Sequence, residues 1–380
     1  MRFSIKRENF RNAISKVERI LSKQPSLPIL ANILIKTDKN RLIIASTNLE
    51  IAIKNHVRAK INKEGGITIP VRVINGFLSN IKDEVVEGET IKDEFQIKTE
   101  KHKIKIKGMS QDDYPIIPKN PKENYINMEA FNLIENISNI LISVAHNDTR
   151  QELNGVNVLF EKNKIILAST DGYRLSEVII NLEEDKLNEE YFIFIENTPS
   201  IIIPALTFSE IQKNLTEGMI NLIIKQNQLF IGDDSTKIIS KLINGNYIDY
   251  KQILPKEYSI EVRVNRSELL NALKIAALIS RDNNGEIKIS SLKNKKEIEI
   301  TSFSGEAGEN ISKITAEVLG GDFKILFNCN YLIDGLGVIK EDVVVLKLNQ
   351  EKSPALIKGI NKKGKENNNF SYVIMPIIKD

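Results

Sequence analysis

The sequence predicts an α+β protein made of three repeats of one domain, each an antiparallel sheet backed by two helices. Three observations predict it. A short phrase recurs: residues 42–50 read LIIASTNLE, 165–173 read IILASTDGY, and 298–304 read IEITSFS. The interval is about a third of the chain, too long for a solenoid unit of roughly 20–50 residues and close to the size of a whole domain. Each copy is preceded by an alternating strand and then by apolar residues at helical spacing. Finally, each of these helices has one apolar face, so the helices should lie on one side of the sheet and leave its other face to water.

The elements follow in order. In the first third Arg2–Lys6 alternates, and Phe10, Ala13, Ile14, Val17, Ile20 and Leu21 then recur as one helix face. In the second, Tyr125–Met128 precedes Phe131, Ile134, Ile137, Leu141 and Val144. In the third, Ile260, Val262 and Val264 lead to Leu269, Leu270, Leu273, Ala276 and Ala277, with Ser267 as the expected N-cap. Two strands should follow each helix: Ile29–Thr37 with Arg41–Thr47, Gly155–Glu161 with Lys164–Thr170, and Glu286–Leu292 with Glu297–Phe303. A strand then runs into a second helix: Ile67–Val71 into Arg72–Ile81, Tyr191–Ile195 into a segment from Ser200, and Phe323–Phe327 into Asn330–Ile339. Pro199 and Pro204 should confine the middle copy of that helix. Hairpins close each third, and Asp113-Tyr114 repeats as Asp249-Tyr250, so the domains are expected at 1–122, 123–256 and 257–380.

Composition narrows the function. The chain has 380 residues, 41% hydrophobic and 27% charged, an ordinary balance for a soluble globular protein. No stretch approaches the roughly 18 apolar residues of a membrane span, and the N-terminus lacks a signal-peptide core. The single cysteine, Cys329, permits no internal disulfide and fits a cytoplasmic protein. Neither a phosphate loop nor a dinucleotide fingerprint is present. His56, His102 and His146 share no metal-ligand spacing. His146-Asn147-Asp148 reads as a polar turn rather than a hydrolytic site, and Asp112-Asp113 before Tyr114-Pro115 as turn chemistry rather than a metal site. Neither a catalytic residue nor a metal or other cofactor is expected.

The net charge of +3 decides little, but its distribution is uneven. The polar face of the first helix carries Arg7, Arg11, Lys16 and Arg19, with Lys23 beyond it, and Arg72 lies on the second. Such faces are ordinarily just solvated. A basic face without aromatic interleaving would otherwise meet phosphate alone and bind duplex DNA without regard to sequence.

Four motifs, in order along the whole chain, carry a family resemblance. They are Ser26–Leu30, Asp148–Gly155, Ala168–Leu175 and Tyr372–Pro376. With them the chain resembles the bacterial DNA polymerase III beta subunit, the sliding clamp family. The resemblance implies the DNA clamp fold and a head-to-tail homodimer. Six domains would close a ring, with sheets outside and twelve helices lining a hole for duplex DNA. It implies no enzymatic activity, since a clamp loader supplies the ATP, and a role in holding the replicative DNA polymerase on its template. It assigns a partner-peptide groove, for polymerase and clamp loader, to Leu153, Thr170, Gly172, Tyr173, Arg174, Leu175, Ile248, Ile253, Val373, Ile374, Met375 and Pro376. On this view the segment from Val373 onward is a removable apolar wall. The family often has proline where Ile248 stands and arginine where Gln252 stands. DNA contacts are implied at Gln24 and Asn147, joining the basic residues above, and a dimer seam where Ile104 and Ile106 face Leu278 and Ile279. Two rivals stay open: a non-enzymatic protein that holds DNA by contact alone, and an enzyme using the Thr170-Asp171-Gly172 turn as a metal or phosphate site.

Overall fold

Apolar spacing becomes helix at most of the expected places. The computed structural model describes residues 1–380 except 23, 24, 26, 122–125, 184–186, 199, 256, 294, 350 and 380, together with the side chain of residue 282. Its helices are α1 (Arg7–Glu18), α2 (Val71–Asn80), α3 (Ala130–Leu141), α4 (Glu189–Asn197), α5 (Ala205–Asn214), α6 (Arg266–Ser280) and α7 (Cys329–Val338). In α1 the buried side chains are Phe10, Ala13, Ile14 and Val17, one stripe at helical period. In α6 the stripe is Leu269, Ala272, Leu273 and Ala276. The cap of α6 is Asn265, not Ser267: its side chain accepts from the amides of Ser267 and Glu268. Asn328 caps α7 in the same way.

The middle third corrects the expectation. Tyr191–Ile195 lies inside helix α4 and is not a strand. Asn188 accepts from the Tyr191 amide at 3.1 Å, and Glu189 and Glu190 sit in the first turn, where the helix dipole favours them. The strand is instead Ser200–Pro204, a β-branched run that pairs with Gly155–Leu159. A Cβ on Gly155 would come within 2.7 Å of the Ile202 side chain, so the glycine permits this close approach. Pro204 ends the strand and α5 begins at the next residue, as Pro70 stands before α2. The middle third therefore carries one helix more than expected.

The described residues form two compact units. Unit 1 comprises Met1–Ile134, Glu184–Glu196 and Leu206–Leu242; unit 2 comprises Glu135–Glu183, Asn197–Ala205 and Ile243–Asp380. Unit 1 has two antiparallel sheets. One runs in the order Lys60–Lys63, Arg2–Lys6, Val85–Ile91, Glu94–Lys98, Lys103–Lys107. The other runs Ile126–Glu129, Met219–Lys225, Gln228–Gly232, Thr236–Lys241, Ile51–Arg58, Arg41–Thr47, Asn32–Asp38, Gly66–Pro70. Unit 2 has one long series: Ser200–Pro204, Gly155–Glu161, Lys164–Thr170, Arg174–Asn181, Phe370–Ile374, Ala355–Ile360, Val343–Leu348, Ile260–Asn265, Gly308–Leu319, Glu297–Ser304, Glu286–Ser291, Lys324–Asn328. The expected α+β class with large antiparallel sheets is thus present.

One joint occurs in each unit. The strand after the first recurring phrase, Ile51–Arg58, pairs antiparallel with Thr236–Lys241. The strand after the second, Arg174–Asn181, pairs antiparallel with Phe370–Ile374. Helix α1 packs on Arg41–Thr47 and Ile51–Arg58, and α6 packs on Glu297–Ser304 and Gly308–Leu319.

Candidate partner groove and nucleic-acid face

The recurring Ser-Thr pair has a different task at each residue. Ser46 Oγ donates to the Val17 carbonyl and Ser169 Oγ to the Ile140 carbonyl, both at 2.5 Å. Each serine thus pins its strand to the end of a helix. The threonine closes the turn that follows. Thr170 Oγ1 donates to the Arg174 carbonyl at 2.7 Å and accepts from the Gly172 amide at 3.0 Å. Asp171 accepts from the amides of Tyr173 and Arg174, both at 3.0 Å. Gly172 has φ +90°, a left-handed conformation that glycine adopts without steric cost.

This turn lies in unit 2 among the residues expected to form the groove. The Arg174 guanidinium lies 4.5 Å over the Tyr331 ring and bonds Asp171 at 3.0 Å and Asp334 at 2.5 Å. Burial is the largest influence and opposes its charge, but the hydrogen bond it donates to Asp334 and its interactions with Tyr372 and Asp171 together outweigh that, so its pKa is raised. Arg174 is therefore a tie between the turn and α7 rather than a free cation. Tyr173, 63% exposed, stacks on Tyr331 with centroids 6.3 Å apart. The Thr170 amide donates to Tyr247 Oη at 3.0 Å, and Tyr250 Oη donates to Glu177 at 2.5 Å. Leu175, Tyr250 and Val373 pack as one cluster, with Tyr247 and Leu254 against it.

The expected groove residues divide by exposure. Ile253 is 53% exposed, and Ile248 and Met375 are half-buried. These three, with Tyr173, can meet a ligand. Leu153, Thr170, Leu175, Val373, Ile374 and Pro376 are buried and form the support beneath. The tail is not a removable wall. Val373 and Ile374 belong to strand Phe370–Ile374, which lies between Arg174–Asn181 and Ala355–Ile360 in the sheet. Beyond it the Met375 amide donates to the Tyr173 carbonyl, the Ile377 amide to the Leu326 carbonyl, and Lys379 pairs with Glu286.

Tyr247, Tyr331 and Asp334 escaped the sequence reading. Tyr114 gives the signal for the first of them. Its hydroxyl accepts from the Thr47 amide at 3.2 Å, the same bond that Tyr247 makes to Thr170. The repeat thus matches Tyr114 to Tyr247. The expected match to Tyr250 is three residues out of register.

On the basic helix face, Arg11 and Arg72 are exposed and make no ion pair among the described residues. Arg7 donates to the Leu78 carbonyl, which turns it toward α2. Lys16 reaches Thr236 Oγ1 at 3.2 Å. Arg19 lies 3.9 Å from the buried carboxylate of Glu210 on α5, which also meets Lys213. Asn147 is exposed in a left-handed turn after α3. Lys23 and Gln24 lie outside the described residues. At the expected seam, Leu278 is 74% exposed, and Ile104 and Ile279 are half-buried. Ile106, on strand Lys103–Lys107 opposite Phe95, is buried within unit 1 itself, so it cannot add apolar area to a seam. Among the described residues no helix is long and apolar enough to cross a membrane, and no group of three His, Cys, Asp or Glu side chains could hold a metal ion.

The chain is similar to known proteins along its whole length. Models of the N-terminal, central and C-terminal domains of the DNA polymerase III beta subunit match residues 1–118, 127–249 and 251–378. The chain is 27% identical to the beta sliding clamp of Staphylococcus epidermidis and 23% identical to that of Synechococcus elongatus, over 99% of both chains in each case. Among solved structures it is similar to a DNA polymerase III beta subunit from Eubacterium rectale, with a TM-score of 0.89, 26% identity and 99% of each chain covered. A sliding clamp from Bacillus subtilis gives a TM-score of 0.91 at 23% identity with both chains fully covered.

Proposed function

Because the chain belongs to the DNA polymerase III beta subunit family, the bacterial sliding clamps, we propose that it acts in the cytoplasm as a ring-shaped homodimer. The ring encircles duplex DNA and tethers the replicative polymerase. The observation that carries this reading is a joint made twice and left open once. In both joints the strand after a recurring phrase pairs with the last strand of the following third. The third phrase is followed by Gly308–Leu319. Among the described residues, 308–315 pair on one side only, with Glu297–Ser304. Lys103–Lys107, the last strand of the first third, is an open edge of its sheet. A second copy supplies each edge with the partner that the other two joints have. Made twice about a twofold axis, the contact closes, and it protects two edges that would otherwise invite uncontrolled pairing.

The repeat fixes the register. Ala52, opposite Thr47 in its hairpin, meets Ile239, and Leu175, opposite Thr170, meets Val373. The matching residue opposite Phe303 is Glu309, and the match of Ile239 and Val373 is Lys105. Glu309 should therefore face Lys105 of the second copy, an attractive cross-strand pair. Exposed Leu278 and Ile275 on α6, with Ile311 on the strand, supply apolar area beside it.

The test is a charge exchange. Lys105→Glu and Glu309→Lys should each weaken the dimer at least roughly tenfold, since each seam changes attraction into repulsion and there are two seams. Combining them should restore it. Sedimentation measures the mass against the 43.0 kDa chain. Dimers indifferent to either change would refute the register, and a wild type monomeric at micromolar concentration would refute the ring.

The peptide groove serves polymerase and clamp loader in turn. Its accessible apolar residues, exposed Ile253 with half-buried Met375 and Ile248, support that reading, because adaptable apolar anchors suit more than one peptide. Arg11 and Arg72 would meet DNA phosphates without reading sequence. The protein itself performs no catalysis. A phosphate-release assay with ATP and DNA checks this, and turnover lost on Asp171→Ala would contradict it.

A further inference from the structure

The turn that shapes the groove in unit 2 is built a second time in unit 1. Thr47 Oγ1 donates to the Ile51 carbonyl and accepts from the Leu49 amide, both at 3.0 Å. Asn48 takes the role of Asp171, accepting from the amides of Glu50 and Ile51 at 3.0 and 2.8 Å. Tyr114 takes that of Tyr247. The difference lies at Leu49, which adopts φ +75° where the other turn has Gly172. A branched side chain is strained there, yet Leu49 remains 43% exposed. Two residues after Tyr114, Ile116 is 96% exposed. A concavity of about 330 Å³ lies beside them, with Ile117 and Ile239 in its lining.

A wider depression of about 720 Å³ shares the Pro115–Ile117 wall. Lys36, Lys54, His56, Lys119 and Lys237 face it, against only Asp38 and Asp112. Lys54 and Lys237 stand directly opposite each other on paired strands, an unfavourable arrangement. Lys54 is fixed by donating to the Pro118 carbonyl at 2.6 Å, and burial, then Lys119, depress its pKa to about 8. The result is an apolar step next to four lysines that Asp38 and Asp112 only partly offset.

We propose that this is a second docking groove, for an extended acidic peptide of a partner protein. Its aliphatic residues seat against Leu49, Ile116 and Ile117, and its adjoining carboxylates lie over Lys54 and Lys237. Charge complementarity selects the acidic segment, and the apolar step next to the cations disfavours a bare phosphate chain. The analogy between the two turns rests on reading the first as a peptide groove; the charge argument does not.

The probe is a fluorescein-labelled peptide of two leucines followed by four glutamates, titrated by anisotropy. Wild type should bind it with a dissociation constant below about 1 mM. Lys237→Glu, which places a carboxylate opposite Lys54, should weaken it at least roughly tenfold. Leu49→Gly relieves backbone strain, keeps the fold and should also weaken it. A Leu-Phe peptide for the unit 2 groove, titrated in parallel, should be unaffected by both changes and should not displace the acidic probe. Absence of probe binding, unchanged affinity in Lys237→Glu, or displacement by the Leu-Phe peptide would each overturn the second groove. Loss of Leu-Phe binding to wild type would count against the first groove alone.

Discussion

At the residue scale, polar side chains hold the turn of the candidate groove in place. Arg174 satisfies two carboxylates and stacks on Tyr331 with its side chain only 12% exposed. Removing it leaves Asp171 and Asp334 without their cation. Arg174→Ala should cost about 2 kcal/mol in denaturant unfolding, the scale of hydrogen bonds to charged groups. It should also weaken the Leu-Phe peptide by freeing Tyr173 and Tyr331. Stability within experimental error of wild type would remove Arg174 from the support of the turn. Asp171, Tyr173 and Arg174 were visible in the Ala168–Leu175 motif, but their task was not. A motif names Arg174; only the fold brings Asp334, 160 positions away, to within 2.5 Å of it. The third copy sharpens the point. Ser302 keeps the recurring serine and is buried, yet its hydroxyl has no hydrogen-bond partner among the described residues.

At the scale of elements, alternation and helical period carried most of the information. They located α1, α2, α3, α6 and α7 and the paired strands after each recurring phrase. They failed at Tyr191–Ile195, because aromatic and β-branched residues read as strand while the cap at Asn188 and the two following glutamates dictate helix. The tail was misread for a related reason. Tyr372–Pro376 is apolar whether it lines a pocket or fills a sheet, and pattern alone does not separate the two. The structure does, and it changes what truncation should do. Deleting Val373–Asp380 removes part of an interior strand and should unfold unit 2, seen as lost cooperative melting. Deleting Ile377–Asp380 should leave the melt intact. Met375→Ala, at a half-buried position, should weaken a Leu-Phe peptide at least roughly tenfold. A folded, peptide-binding protein lacking Val373–Asp380 would contradict this account of the strand.

At the scale of the molecule, the threefold repeat explains the open edges, and the proposed second copy would cover them. The recurring phrase at 46, 169 and 302 was plain in the sequence; the joints that follow the first two were not, since strand partners lie far apart along the chain. Once they are known, the third joint is an extrapolation, and Cys329 makes it testable. That cysteine is buried, and burial raises its pKa to about 12, so it is a poor competitor for oxidation. Lys105→Cys with Glu309→Cys should therefore form a disulfide across each seam, given the short separation of directly opposed residues. The decisive measurement is retention of this cross-linked dimer on DNA. Loaded onto a nicked circle and then oxidised, it should stay through a salt rise that would cost a protein with 6–10 phosphate contacts about 10³–10⁵ in affinity. It should leave when the circle is cut or the disulfide is reduced. Release from the intact circle at the same salt as from linear DNA would contradict encirclement and favour binding by contact alone.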